Sequence, residues 1–187
     1  MNVKSIRLEV NPLAVGAGLA VGVGAAFAAV GLTIALATYL VFVALLIQLS
    51  VIDLAEHRLP NQLTLRAFLL ASILLPVAAL APLEGTALGR AVLGAVASFA
   101  FHLLIHIVSP RGFGLGDVKL SPTIGAHLAF LSADALMRGI LVSFVLNAVV
   151  VLGLMTAGRA DRHTKVAFGP FMAAGAFVAL YLHGAFA

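Results

Sequence analysis

The sequence has 187 residues, of which 63% are hydrophobic and only 10% charged, with a mean hydropathy of +1.16. Soluble domains carry about a quarter charged residues, so the composition excludes a water-soluble globular chain and predicts an all-α, polytopic membrane protein. Cysteine is absent, which excludes disulfides, thiolate catalysis and cysteine-ligated zinc, and the net charge of +4 is read as charge sorted by membrane side, not as a nucleic-acid surface.

Residues 1–11 make a short polar start with Lys4 and Arg7. Residues 12–53 then hold about forty mostly apolar positions, twice the roughly 20 that one helix needs to cross a bilayer core. We divide them near Gly31-Leu32-Thr33 into two helices. The first is rich in Gly and Ala, and its Gly18-x-x-x-Gly22 lets neighbouring helices approach closely. A cleaved signal peptide ending at Ala26-Phe27-Ala28 is the competing reading. Its apolar part exceeds the usual h-region of about 7–15 residues and flows into a second apolar run, which favours a retained helix.

The second helix, about 32–53, ends in Ile52-Asp53-Leu54-Ala55-Glu56-His57-Arg58-Leu59-Pro60-Asn61. Pro60 disfavours helix at Leu59 and marks a boundary. A third span is expected at about 63–80, a turn at 82–89, and a fourth span at 88–108. Residues 109–116, with Pro110 and glycines 112, 114 and 116, form a loop. The fifth span, 117–131, is short and interrupted by Pro122, Gly125 and His127. It crosses only with Asp117 and Lys119 in its first turns, or else lies bent and buried among its neighbours. The sixth runs over about 136–157 and the last over 168–186, giving about seven transmembrane helices. No linker or long polar segment interrupts them, so one domain over 1–187 with no cytosolic appendage is expected.

Charge gives an orientation. With the N-terminus inside, the cytoplasmic segments hold Lys4, Arg7, Arg58, Arg66, Arg111, Lys119, Arg159, Arg162 and Lys165, and the outer ones only Arg90 and Arg138. Cytoplasmic loops are enriched in Lys and Arg, so N-in/C-out is expected, with Glu84 and Asp134 solvated outside. Two spans separate Asp53 from Asp117. An even number returns the chain to the side it left, which puts both carboxylates at the cytoplasmic edge.

Charged side chains at the edge of a bilayer core are costly and tend to be functional. Amide hydrolysis needs water deprotonated on one side and the carbonyl oxygen polarised on the other. Two close carboxylates cannot both ionise cheaply and so share a proton, one serving as base and the other as acid. Asp53 and Asp117 are the candidate pair, with neither given a fixed role. Gly114 and Gly116 would let a substrate backbone come near, and Lys119 would orient the loop or meet lipid phosphate. The bland alternative for Asp117 is a helix N-cap. Asp53 closes a helix, where the dipole opposes a negative charge, and this asymmetry favours function for the pair.

Other polar residues read more simply. His102 and His106 have the i, i+4 spacing of metal ligands, but a zinc site wants a third ligand, so helix packing is expected and no metal. Gln48 and Asn147 read as interhelical hydrogen-bonding groups, and Glu56 as a solvated loop residue.

Three blocks in order resemble the type IV prepilin peptidases, a family of Gly-x-Gly-Asp aspartic proteases of membranes. Asp53 followed by Arg58-Leu59-Pro60-Asn61 resembles its first aspartate motif, Gly114-Leu115-Gly116-Asp117-Val118-Lys119-Leu120 its second, and Phe168-Gly169-Pro170-Phe171 its closing motif. The presenilin and signal peptide peptidase branch shares Gly-Leu-Gly-Asp but lacks the other two blocks. The resemblance implies a hydrolase, a single aspartic peptidase domain in the bacterial inner membrane. It implies that Asp53 and Asp117 are catalytic, supported by Gly114, Gly116, Lys119, Arg58, Pro60, Asn61, Phe168, Gly169 and Pro170. The implied substrates are prepilins or pseudopilins, each a basic leader followed by an apolar helix, cut at the cytoplasmic face. No cofactor and no nucleic acid is implied; the bilayer is the other partner.

Larger members of that family carry an insert with paired cysteines that goes with N-methylation. This sequence has no cysteine, so it resembles the compact, peptidase-only type. Ala167 stands where a proline often precedes the closing motif, and Pro122 follows the second motif unexpectedly. A small ion-coupled transporter or scaffold, or an intramembrane aspartic protease with another substrate, is the alternative function.

Overall fold

The structure, a computed structural model, describes residues 11–80, 86–110, 112–161, 164 and 166–186. The expectations that rest on Lys4, Arg7, Glu84, Arg111, Arg162 and Lys165 lie outside these residues. Among these described residues there are seven helices: α1 (Pro12–Val30), α2 (Ile34–Glu56), α3 (Asn61–Ala78), α4 (Ala87–Val108), α5 (Leu115–Leu131), α6 (Ala133–Thr156) and α7 (Gly169–Phe186). α1 opens on Asn11, whose side chain accepts from the Leu13 N–H at 2.9 Å, with Pro12 at the first helical position. Both features satisfy the start of a helix. Gly31, at φ 58°, ends it, close to the expected division between the first two spans.

Six of the seven helices are long and apolar enough to cross a membrane; α5 is not. It has 17 residues, 12 of them buried, so it is shielded by the other helices more than any of them is. Its backbone is completed from within the bundle. Pro122 has no N–H to offer the Val118 carbonyl one turn back, and the Ser121 hydroxyl donates to that carbonyl instead, at 2.9 Å. The helix therefore runs through the proline without a break. At its far end the Arg90 guanidinium of α4 donates to the carbonyls of Ala129, Phe130 and Leu131. A cation on these otherwise orphaned groups is favourable in both hydrogen bonding and dipole terms.

Small residues let α5 sink in. A Cβ on Gly125 would lie 2.6 Å from Cβ of Ser98 on α4, closer than real contacts allow. On the opposite side, Tyr39 of α2 donates to the His127 carbonyl at 2.7 Å, and Phe42 stacks on the His127 ring with centroids 4.0 Å apart. Gly18 and Gly22 of α1 face Ile47 and Val43 of α2, and Gly22 also faces Phe177 of α7, as a close-packing motif should. Gln48 is exposed, and neither it nor Asn147 forms an interhelical hydrogen bond. In a membrane bundle held by small residues and packing, such bonds are optional.

Candidate active site

The end of α2, the start of α5 and the start of α7 converge at one end of the bundle. The three sequence blocks meet there through contacts that each pair can make only with particular residues. Between the first and second blocks, Lys119 Nζ donates to Asn61 Oδ1 at 2.8 Å. A Cβ on Gly116 would stand 2.9 Å from Cβ of Leu59, so glycine is what allows the first turn of α5 to seat on the α2–α3 turn. Pro60 shapes that turn, its carbonyl taking the Leu63 and Thr64 N–H groups as α3 begins. Between the second and third blocks, Phe113 and Phe168 meet edge-on with ring centroids 5.1 Å apart, and Phe144 of α6 lies 5.0 Å from Phe168.

Asp53 is 6% exposed. Its Oδ2 accepts the Gly169 N–H at 2.9 Å. Gly169 is the first residue of α7, and Pro170 behind it has no N–H to compete. The N-terminus of α7 thus brings a free donor and a positive dipole end to a carboxylate that its own helix disfavours. A Cβ at position 169 would lie 2.8 Å from that oxygen and 3.3 Å from Cγ, which explains the glycine.

Asp117, 7% exposed, lies in the first turn of α5. Its Oδ2 folds back over Gly114, the N-cap of α5, without making a side-chain hydrogen bond that caps the helix. Asp117 stands three residues in, where the helix dipole favours a carboxylate, but it is not the N-cap that the bland alternative required. Oδ1 is buried and has no hydrogen-bond partner. Asp53 is among the groups whose charge acts on Asp117, so the two carboxylates are electrostatic neighbours.

Arg58 turns to the surface, where its Nε pairs with Glu56 at 2.7 Å. His102 and His106 each bond a backbone carbonyl through Nδ1, those of Ser98 and Phe113; the described residues hold no group of three or more His, Cys, Asp or Glu able to bind a metal. The sequence pattern gives no role to His57, whose signal is its i+4 spacing from Asp53. It caps α2 at φ 53°, the one non-glycine residue with positive φ among those described. Both of its ring nitrogens are buried without a partner, and its backbone N–H donates to the Asp53 carbonyl at 2.8 Å.

A family model described as the type IV leader peptidase family matches residues 40–157. Among curated proteins, the chain is 32% identical over 157 residues to a prepilin leader peptidase/N-methyltransferase of Bacillus subtilis, covering 82% of this chain and 58% of that one. It is 34% identical over 184 residues to the protein of the same name from Burkholderia pseudomallei, covering 94% and 53%. Against that of Stutzerimonas stutzeri it is 33% identical over 136 residues, covering 72% and 46%. The chain therefore spans about half the length of these relatives. No solved structure matches it.

Proposed function

The chain belongs to the type IV leader peptidase family, and from that premise we propose that it is a membrane aspartic endopeptidase in which Asp53 and Asp117 activate water between them. The observation that carries the proposal is the contrast at the site. One buried carboxylate is anchored by the N–H of Gly169, and its neighbour turns an unpartnered oxygen inward. A buried acceptor without a partner costs about 1–3 kcal/mol, and in a peptidase the attacking water would donate to it or, with the oxygen protonated, the substrate carbonyl would accept from it.

One carboxylate takes a proton from water as the water oxygen bonds to the scissile carbonyl carbon, and the other gives its proton to the carbonyl oxygen. Collapse of the tetrahedral intermediate breaks the C–N bond, and the departing amine takes the proton that came from water. As the carbonyl re-forms, a hydroxyl of the intermediate returns its proton to the second carboxylate, so each carboxyl ends the cycle in the state in which it began, the two having exchanged roles at the intermediate.

The proposed substrates are prepilins or pseudopilins, with a basic leader and an apolar segment, in the bacterial inner membrane. The aspartate end of the bundle carries Arg58, Arg66, Lys119 and Arg159, while Arg90 and Arg138 belong to the other end, where both act on His183 of α7. Cytoplasmic ends are the Lys- and Arg-rich ones, which supports N-in/C-out and cleavage at the cytoplasmic face. The proposal is of a peptidase without methyl transfer, because the sequence lacks cysteine, the residue that the resemblance attaches to methylation.

The test is processing of a co-expressed prepilin by Asp53→Asn and Asp117→Asn variants that still accumulate in the membrane. Each should lose about 10³-fold or more of the cleavage rate, as loss of a group essential to proton transfer does. Full processing by either variant would remove that aspartate from the mechanism. Absence of cleavage by the parent chain, with cation-dependent solute flux in liposomes, would favour an ion-coupled transporter.

A further inference from the structure

A cavity of about 570 Å³ lies between α1, α2 and α7. Its walls include Gly18 of α1, Ile47 and Ser50 of α2, and Pro170, Ala174 and Tyr181 of α7. Pro170 follows the glycine whose N–H holds Asp53, and Ser50 is three residues before Asp53 on α2, on the same face. The cavity thus starts about one turn from Asp53 and continues along α7 away from it. From Pro170 to Tyr181 a helix rises about 16 Å, so the groove runs for the length of about three helical turns.

Ser50 is what separates this cavity from an ordinary lipid-facing seam. The residue is 9% exposed, and its hydroxyl is buried with no hydrogen-bond partner. A serine inside a helix normally bonds the carbonyl one turn back; this one does not. A lipid acyl chain offers it nothing. A peptide being cut does, because the backbone at a scissile bond is extended, and its N–H and C=O groups then have neither helical partners nor water.

We infer that this cavity seats the apolar segment on the far side of the scissile bond, with the Ser50 hydroxyl bonded to a substrate backbone group one turn from Asp53. The inference rests on the peptidase reading and adds where the substrate lies: along α7 and α1, and not against α4 or α6. The basic leader would then leave in the opposite direction, toward the Arg- and Lys-bearing end of the bundle.

The natural absence of cysteine makes thiol cross-linking clean. Single cysteines are placed in the groove (Ala17→Cys, Ala174→Cys) and on exposed faces of α4 and α6 (Leu93→Cys, Val149→Cys) in an Asp117→Asn background. The probe is a co-expressed type IV prepilin with one cysteine within about eight residues after its cleavage site. Adducts at the two groove positions, several-fold above the other two, are expected. Equal yields at all four would leave lipid as the occupant and overturn the inference, as would no groove adduct while the parent chain still cleaves that prepilin. No cleavage by the parent chain would sink the peptidase reading and the inference together. Independently, Ala174→Phe narrows the groove. It should slow cleavage of the full prepilin about tenfold and leave unchanged a short soluble peptide spanning the scissile bond; equal slowing of both would overturn the inference. Ser50→Ala should slow both substrates several-fold, and no change would remove Ser50 from it.

Discussion

Asp53 and Asp117 are buried almost equally, yet the chain holds them by different means. Asp53 stands at the wrong end of its helix for a negative charge and is secured from outside, by the first N–H of a helix 116 residues further along the chain. Asp117 stands at the right end of its helix and packs within its own turn, Oδ2 lying over Gly114 three residues before it. The first arrangement is tertiary and exists only when α7 has docked. The second is local and needs only the first turn of α5. If the pair shares one proton, this asymmetry lets one carboxyl stay fixed while the other keeps an oxygen uncommitted.

Adding a methyl group at each glycine breaks the two anchors separately. At position 169 the new Cβ would meet Oδ2, Cγ and Cβ of Asp53, all within 3.4 Å, so the whole side chain must move. At position 114 it would meet only Oδ2 of Asp117 at 3.0 Å, with Cγ already at 3.9 Å, and a small rotation of the carboxyl relieves it. A misplacement of about 1 Å at a catalytic group can cost about 10²-fold in rate. Gly169→Ala should therefore lose about 10²-fold of prepilin processing and Gly114→Ala about tenfold. Rates from a processing time course in membranes decide it; a larger loss at 114 would mean that the local anchor is the more demanding one.

That contrast also explains how much of the site was legible beforehand. The even number of spans between Asp53 and Asp117 put both at one end of the bundle, and the structure has them there. The unfavourable dipole at Asp53 was legible too, but its remedy was not, since nothing in the spacing of Phe168-Gly169-Pro170 says which carboxylate its free N–H faces. α5 was legible as the irregular element through Pro122, Gly125 and His127. Burial among its neighbours was one of the two paths its short length left open; what the sequence did not reveal is that Arg90, Ser98 and Tyr39 are the residues that enclose it. Arg58 was grouped with the aspartates because its block is contiguous in sequence, but the turn after His57 sends its side chain outward.

His57 sharpens the comparison on the Asp53 side, because it belongs to the tertiary anchor's neighbourhood and has no counterpart beside Asp117. A left-handed backbone costs a non-glycine residue about 1–2 kcal/mol, and such strain collects at functional sites. His57→Gly should therefore be more stable than His57→Ala by about 1 kcal/mol, since both lose the imidazole and only glycine loses the strain. Thermal unfolding in detergent would check this; equal midpoints would mean that the turn relaxes at no cost. Both variants should process prepilin several-fold more slowly than the parent, because the imidazole one turn from Asp53 is gone.

The smallest expected effect is at the Lys119–Asn61 hydrogen bond, the polar contact that joins the second block to the first. Both side chains are exposed, so water competes for each, and such a bond contributes about 0.5–1.5 kcal/mol at most. The seating of Gly116 on Leu59 holds the same two segments without it. Lys119→Met and Asn61→Ala should each lower processing less than about threefold, and the double variant should lose no more than the larger single one, the signature of one shared contact. Losses that multiply would show that Lys119 and Asn61 act separately, with Lys119 meeting lipid phosphate or substrate instead of fixing the approach of the two aspartate segments.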